Sequence, residues 1–257
     1  MRVIIGLAMA LSMFSMFVSD VSANAPDSRC YELRVYYAAE GKLDALHARF
    51  RNHTCKLFEK HGMTNIGYWT PLENPEQKLY YILAYPNRAA RDESWKDFLA
   101  DPAWKAAQSA SETDGKLVAK VESTFLKTTD FSPAIRPASS SEPRVFEWRA
   151  YTATPKNLPK LLSRFRDHTV SLFQRHGMEN VAYWTLDAGQ PGADDTLVYL
   201  LAHKSKASRE AGFDAFKEDA EWKAAKAASE QDAGGPLTVK DGVKFVLMAP
   251  TDYSPMK

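Results

Sequence analysis

The sequence predicts an α+β fold in which two β-α-β-β-α-β units of one chain pair as a two-sheet barrel. Three observations carry this. The string FRNHTCKLFEKHGMTNIGYWT, Phe50 to Thr70, returns as FRDHTVSLFQRHGMENVAYWT, Phe165 to Thr185. YELR at Tyr31, LYYILA at Leu79, WKAA at Trp104 and TDFSP at Thr129 return in the same order as FEWR at Phe146, LVYLLA at Leu197, WKAA at Trp222 and TDYSP at Thr251. The spacing between copies grows only at DAGQPGADD and DAGGP, which are turn-like compositions where insertions leave the flanking elements intact.

The elements follow in chain order. Val3 to Val18 is an apolar run behind Arg2 and ahead of SDVSANA, which reads as a signal peptide over residues 1–23, cut after Ala23. The run is shorter than the ~20 residues of a spanning helix, so no membrane anchor is expected after cleavage. The expected address is a periplasm or the exterior. The first unit covers 30–133. CYELRVYY has the composition of a strand. Gly41 opens a helix whose stripe is Leu43, Leu46, Phe50, His53 and Leu57, at spacings of three and four. His61-Gly62 closes it. NIGYWT and KLYYILAY are two strands. Arg88 to about Thr113 is helical with Trp95, Phe98 and Leu99 among its apolar positions, interrupted at Pro102, which lacks the donor an inner turn needs. KLVAKVESTFLK is the fourth strand. Residues 134–143, AIRPASSSEP, form a linker. The second unit, 145–255, repeats the stripe at Leu158, Leu161, Phe165, His168 and Leu172, with strands at 145–152, about 179–185, 196–203 and roughly 237–248. This order is the ferredoxin-like split βαβ pattern. Two such sheets cover each other's exposed face.

The chain has 257 residues and a formal net charge of +1, which gives no support for nucleic-acid binding. Its two cysteines, Cys30 and Cys55, are replaced in the second unit by Val145 and Val170. A disulfide is permitted in an oxidising compartment, but the shared architecture does not require one. No phosphate loop, nucleotide fingerprint, zinc spacing or nucleophile elbow is visible, so neither a cofactor nor a metal is assigned.

YELRVYYAAEGK, the HT…LFEKHGM…GYW string and DPAWKAA resemble the NIPSNAP family across both units. The resemblance implies the dimeric α+β barrel fold, which also carries small monooxygenases, isomerases and haem proteins. It implies no catalytic residue, because the family has none generally established. The second unit departs from the family pattern at FEWRAYTATPKN, where the glycine before the helix is missing. Eukaryotic relatives are associated with mitochondria; this N-terminus reads as secretory.

Strand alternation separates Tyr31, Leu33 and Val35 from Glu32, Arg34 and Tyr36, and Phe146, Trp148 and Ala150 from Glu147, Arg149 and Tyr151. The apolar face is expected against the helices. The Glu-Arg-Tyr face is then expected between the sheets, as an internal ion-pair network or as a polar cavity for an anionic or hydrogen-bonding ligand. His53 and His168 lie on the apolar stripe, as core histidines bonded to backbone or as proton shuttles or haem ligands in a helix–sheet pocket. His61 and His176 are read as helix-end caps. Tyr68 and Tyr183 are core or cavity-wall aromatics. Two function classes stay open: a binding or accessory protein for a small hydrophobic or aromatic ligand, and a small oxygenase or isomerase of the same fold.

Overall fold

The computed structural model describes residues 27–137, 142 and 144–257. The signal-peptide reading and part of the linker fall outside these residues. The first repeat runs β1 (Cys30–Ala38), α1 (Leu43–Arg49), a π-helical turn (Phe50–Thr54), α2 (Cys55–Lys60), β2 (Thr64–Pro71), β3 (Lys78–Tyr85), α3 (Arg88–Ala100), α4 (Pro102–Ser111) and β4 (Val118–Thr128). The second runs β5 (Val145–Ala153), α5 (Leu158–Arg164), a π-helical turn (Phe165–Thr169), α6 (Val170–Arg175), β6 (Glu179–Leu186), β7 (Thr196–His203), α7 (Lys206–Glu218), α8 (Ala220–Ala233) and β8 (Thr238–Pro250).

The strands form one closed antiparallel barrel in the order β1-β3-β2-β8-β5-β7-β6-β4. Closure comes from the last strand of each repeat. The end of β4 leaves its own half to pair with β6, Leu126 opposite Leu186 and Thr128 opposite Trp184. The end of β8 returns the exchange against β2, Pro71 opposite Met248 and Trp69 opposite Pro250. The repeated TD(F/Y)SP tails complete it. Asp252 pairs with Arg51 and Asp130 with Arg166. The Tyr68 N–H donates to the Ser254 hydroxyl at 2.9 Å, and the Tyr183 N–H to the Ser132 hydroxyl at 3.0 Å. Each tail therefore caps the other repeat.

The two seams differ at one place. The Gln190 carboxamide, in the loop after β6, accepts from the Phe125 N–H and donates to the Phe125 carbonyl, both at 2.8 Å, which extends the β4 edge. At the matching place beside β8 the loop after β2 leaves a cavity of about 590 Å³ walled by Leu72, Glu73, Arg209 and Phe245.

The barrel interior is apolar and shared. Tyr31, Leu33 and Val35 meet Trp69, Phe146, Trp148, Trp184 and Met248 there. The indole N–H groups of Trp69 and Trp184 find no partner inside it. This corrects the expected facing: the apolar side of β1 and β5 looks into the barrel, and the Glu-Arg-Tyr side looks out at the helices. The physical reason is the supply of donors. Helices bring Arg91 and Arg209 to the outer face, whereas the apolar cluster of the interior offers a carboxylate no cation, only the two indole N–H groups, and a charge cannot be buried unpaired. Gly67 marks one close approach: the Trp69 ring lies 2.3 Å from where its Cβ would be, and the second repeat fits Ala182 at this place.

The helix stripe is also corrected. Each first helix contains a π-turn, which inserts one residue per turn and advances every later position. Thr54 and Phe58 take the buried places expected for His53 and Leu57, and His53 is exposed. Thr169 likewise displaces His168, which is half-buried. The Thr54 and Thr169 hydroxyls donate to the Arg49 and Arg164 carbonyls at 3.2 and 3.1 Å. The break between α3 and α4 falls at Asp101, whose carboxylate accepts the Ala103 N–H at 2.8 Å, with Pro102 in the first helical position. Asp219 makes the same break ahead of Ala220, so the aspartate cap suffices without proline.

Candidate functional site

Between the helices of the first repeat and the outer face of β1 and β4 lies a cleft of about 520 Å³. β1 contributes Arg34 and Tyr36, β4 Val118 and Val121, the π-turn and its flanks Arg49, Phe50 and Thr54, α2 Phe58, α3 Arg91, Trp95, Phe98 and Leu99, and α4 Trp104 and Gln108. Six aromatic side chains thus share one lining with three arginines.

Glu32 sits beneath this lining, fully buried. Its carboxylate accepts from Arg34 at 2.6 Å, from both Nε and Nη2 of Arg91 at 3.0 and 2.7 Å, from Ser123 at 2.6 Å, from Tyr85 at 3.1 Å and from the Trp95 indole at 3.2 Å. Burial alone would raise its carboxyl; the hydrogen bonds from Arg91 and Ser123 and the charge of Arg34 outweigh it and bring the value down to about 2. Arg34 spends its remaining edge on the Tyr81 hydroxyl at 2.9 Å and stacks 4.3 Å from the Trp95 ring centre. The carboxylate therefore fixes two guanidinium planes, and these fix the cleft floor.

On the other wall Arg49 stacks 5.2 Å from the Trp104 ring centre, and its Nη1 donates to Glu112 at 2.8 Å and to Ser111 at 3.3 Å. Trp104 packs against Phe98 with ring centres 4.5 Å apart, so it serves both the core and the cleft wall. Tyr68 lies buried below, donating its hydroxyl to Asn65.

The second repeat builds a smaller cleft of about 310 Å³, whose lining includes Tyr151, Arg164, Phe165, Thr169, Phe173, Phe216, Trp222, Lys226 and Glu230. Glu147 is again fully buried, held by Arg149, Arg209 and His203, and again brought down to about 2 against the effect of burial. Three replacements change the surroundings: Phe213 for Trp95, His203 for Tyr85 and Phe245 for Ser123. Arg149 lies 4.7 and 5.4 Å from the Phe213 and Phe245 ring centres, and it is not part of the cleft lining. Tyr183 is buried below, bonded to Asn180.

Of the residues singled out from sequence, Arg34, Tyr36 and Tyr151 line clefts; Glu32, Glu147, Arg149, Tyr68 and Tyr183 lie beneath them; His53 and His168 lie outside. Sequence reading missed Arg49, Arg91 and Arg209. Their signal was recurrence, since Arg49 returns as Arg164 and Arg91 as Arg209 at matching places in the repeats. His61 and His176 bond Asp101 and Asp219 at 2.7 Å, tying the end of each first helix to the break between the two helices that follow β3 and β7. Cys30 and Cys55 are both free, and burial pushes the Cys55 thiol up to about 12. Among the described residues no group of three or more His, Cys, Asp or Glu side chains is placed to hold a metal, and no helix is long and apolar enough to cross a membrane.

No curated protein matches the chain. Among solved structures it is similar to an anthrone oxidase-like protein at 12% identity and a TM-score of 0.57, over 90% of this chain and 94% of that one. It is similar to a presumed monooxygenase of Fusobacterium nucleatum subsp. nucleatum at 10% identity and a TM-score of 0.55, over 87% and 92%. A NIPSNAP-family protein of unknown function from Agrobacterium tumefaciens matches 41% of this chain and 93% of its own, at 24% identity and a TM-score of 0.37. The first two likenesses concern the fold, the dimeric α+β barrel. Residues 31–133 and 146–255 each match the NIPSNAP family, and together they span most of the sequence; the chain belongs to that family.

Proposed function

We propose that this chain is an exported binding protein that takes a small aromatic ligand in the helix–sheet cleft of its first repeat. The observation that carries the reading is the lining itself: a cleft of about 520 Å³ walled by Tyr36, Phe50, Phe58, Trp95, Phe98 and Trp104. Its size and apolar, aromatic character match those of small-molecule sites. Export rests on the amino-terminal pattern alone.

An oxygenase or isomerase reading draws on the likeness of fold to the two oxygenase-like structures, which is a weaker support. Abstracting a substrate proton would need a free base in the cleft. Glu32 is committed to five donor side chains, Glu112, which lines the cleft, is paired with Arg49 and accepts the Leu117 N–H, and His53 lies outside the lining. Binding is therefore preferred.

The test uses protein recovered from a periplasmic extract, its chain expected to start at Asn24. Titration with 2-naphthol is expected to quench tryptophan fluorescence through Trp95 and Trp104. Val121 stands exposed on the rim, opposite Tyr36 in the strand register, and Val121→Trp is expected to fill the cleft and abolish the quenching. Recovery with Met1 intact would count against export. Unchanged quenching in the variant would count against the cleft.

A further inference from the structure

We propose that the cleft selects ligands bearing a carboxylate, and that Arg49 is the residue that reads it. This rests on the aromatic cleft being the binding site and names the chemistry of its occupant. Arg49 is almost wholly buried, with 4% of its side chain exposed, yet it lines the cleft. Only its Nη1 is engaged, with Glu112 and Ser111. Nε is buried without a partner. An N–H hidden from water and left unpaired is costly, so its presence asks for an acceptor that arrives from outside the chain. The second repeat repeats the anomaly: Arg164 lines the smaller cleft, reaches Ser229 and Glu230 through Nη1 at 3.4 and 3.7 Å, and also leaves its Nε unpaired. Arg149 also leaves its Nε unpaired, away from the cleft lining, so the unpaired atom alone assigns nothing; what Arg49 and Arg164 share is that this unused edge belongs to an arginine that lines a cleft in each copy.

The Nε–Nη2 edge of a guanidinium presents two parallel N–H groups that match the two oxygens of a carboxylate. Trp104 stacks on the guanidinium face and holds that plane in place. Charge agrees with this choice. Arg34, Arg49, Arg91 and Lys116 face or line the cleft, against the carboxylates of Glu32 and Glu112, so the site keeps an excess of positive charge. Arg34 and Arg91 are already spent on Glu32, which leaves Arg49 as the arginine with donors to offer. The ligand class is then an aromatic carboxylic acid, its ring against Trp95 and Phe50 and its carboxylate at Arg49.

The experiment compares 2-naphthoate with its neutral counterpart 2-naphthamide, by calorimetric titration of the full-length mature protein. The wild type is expected to bind 2-naphthoate about tenfold or more tightly than 2-naphthamide, the gain of a charge-assisted pair. Arg49→Lys keeps a cation for Glu112 and removes the fork; it is expected to bring the ratio below about threefold, as the loss of one bidentate contact requires. A melting curve like that of the wild type would show that the variant is folded; if it is not, Arg49→Gln is read in the same way. Equal affinity for the two probes in the wild type, or a ratio that survives Arg49→Lys, would overturn the carboxylate assignment and leave the aromatic cleft standing. Failure of both probes to bind would overturn the cleft reading together with it.

Discussion

Glu32 shows how a single buried carboxylate can organise a site. It is worth little as a source of net stability, because desolvation of a buried ion pair offsets most of its attraction. Removing it is another matter, since Arg34, with only 11% of its side chain exposed, would lose its carboxylate partner, and Arg91 would keep only Asp92. Glu32→Gln is expected to cost about 3–5 kcal/mol in urea unfolding at neutral pH. The same residue sets a pH dependence. Its ordinary value is 4.5 and its folded value about 2, so the unfolded chain binds the proton first. Its stabilising contribution is full above about pH 4.5 and is lost as pH falls toward 2. Glu147 behaves alike. Unfolding free energy measured from pH 7 to pH 2 is expected to fall along this limb, and less steeply in Glu32→Gln; an equal slope in the variant would contradict the assignment. Alternation along β1 separated Glu32, Arg34 and Tyr36 from their apolar neighbours correctly. It could not say which face met the helices, because that depends on Arg91, 59 residues further on.

At the level of elements, the π-turn is what the hydrophobic period failed to reveal. A uniform helical repeat places His53 and Leu57 on the stripe. The actual buried series is Leu46, Phe50, Thr54 and Phe58, a run of fours that a 3.6-residue helix cannot keep on one face. That run was present in both copies of the sequence, but its polar member made it easy to pass over. The turn also sets Arg49 and Thr54 against the cleft together. Deleting the exposed Asn52 is expected to restore an uninterrupted α-helix with Leu46, Phe50 and the following phenylalanine still on one face. The melting temperature should then stay within about 3 °C of the wild type, equivalent to ~1 kcal/mol, with helical ellipticity unchanged. A much larger fall would mean that the turn itself is needed for packing. The strands, by contrast, were readable throughout, since their β-branched and aromatic runs have no competing helical period.

For the molecule as a whole, repetition in sequence became exchange in space. The repeats do not sit side by side as closed units. Each gives the end of its last strand and its TD(F/Y)SP tail to the other, and each tail packs an aromatic ring onto the partner repeat's core, Tyr253 on Phe50 and Phe131 on Tyr183. The pairing of the halves was readable from the internal repeat. The role of the tails was not, because a motif of five residues states its conservation of pattern but not the surface it meets. Exchange has a direct consequence: a single repeat carries an open sheet whose Trp69, Tyr31 and Leu33 face has nothing to cover it. The decisive measurement is sedimentation equilibrium of the first repeat alone, residues 27–133, at micromolar concentration. The reciprocal exchange predicts a dimer of that repeat, or aggregation where no dimer forms; a soluble monomer with the melting temperature of the full chain would contradict it.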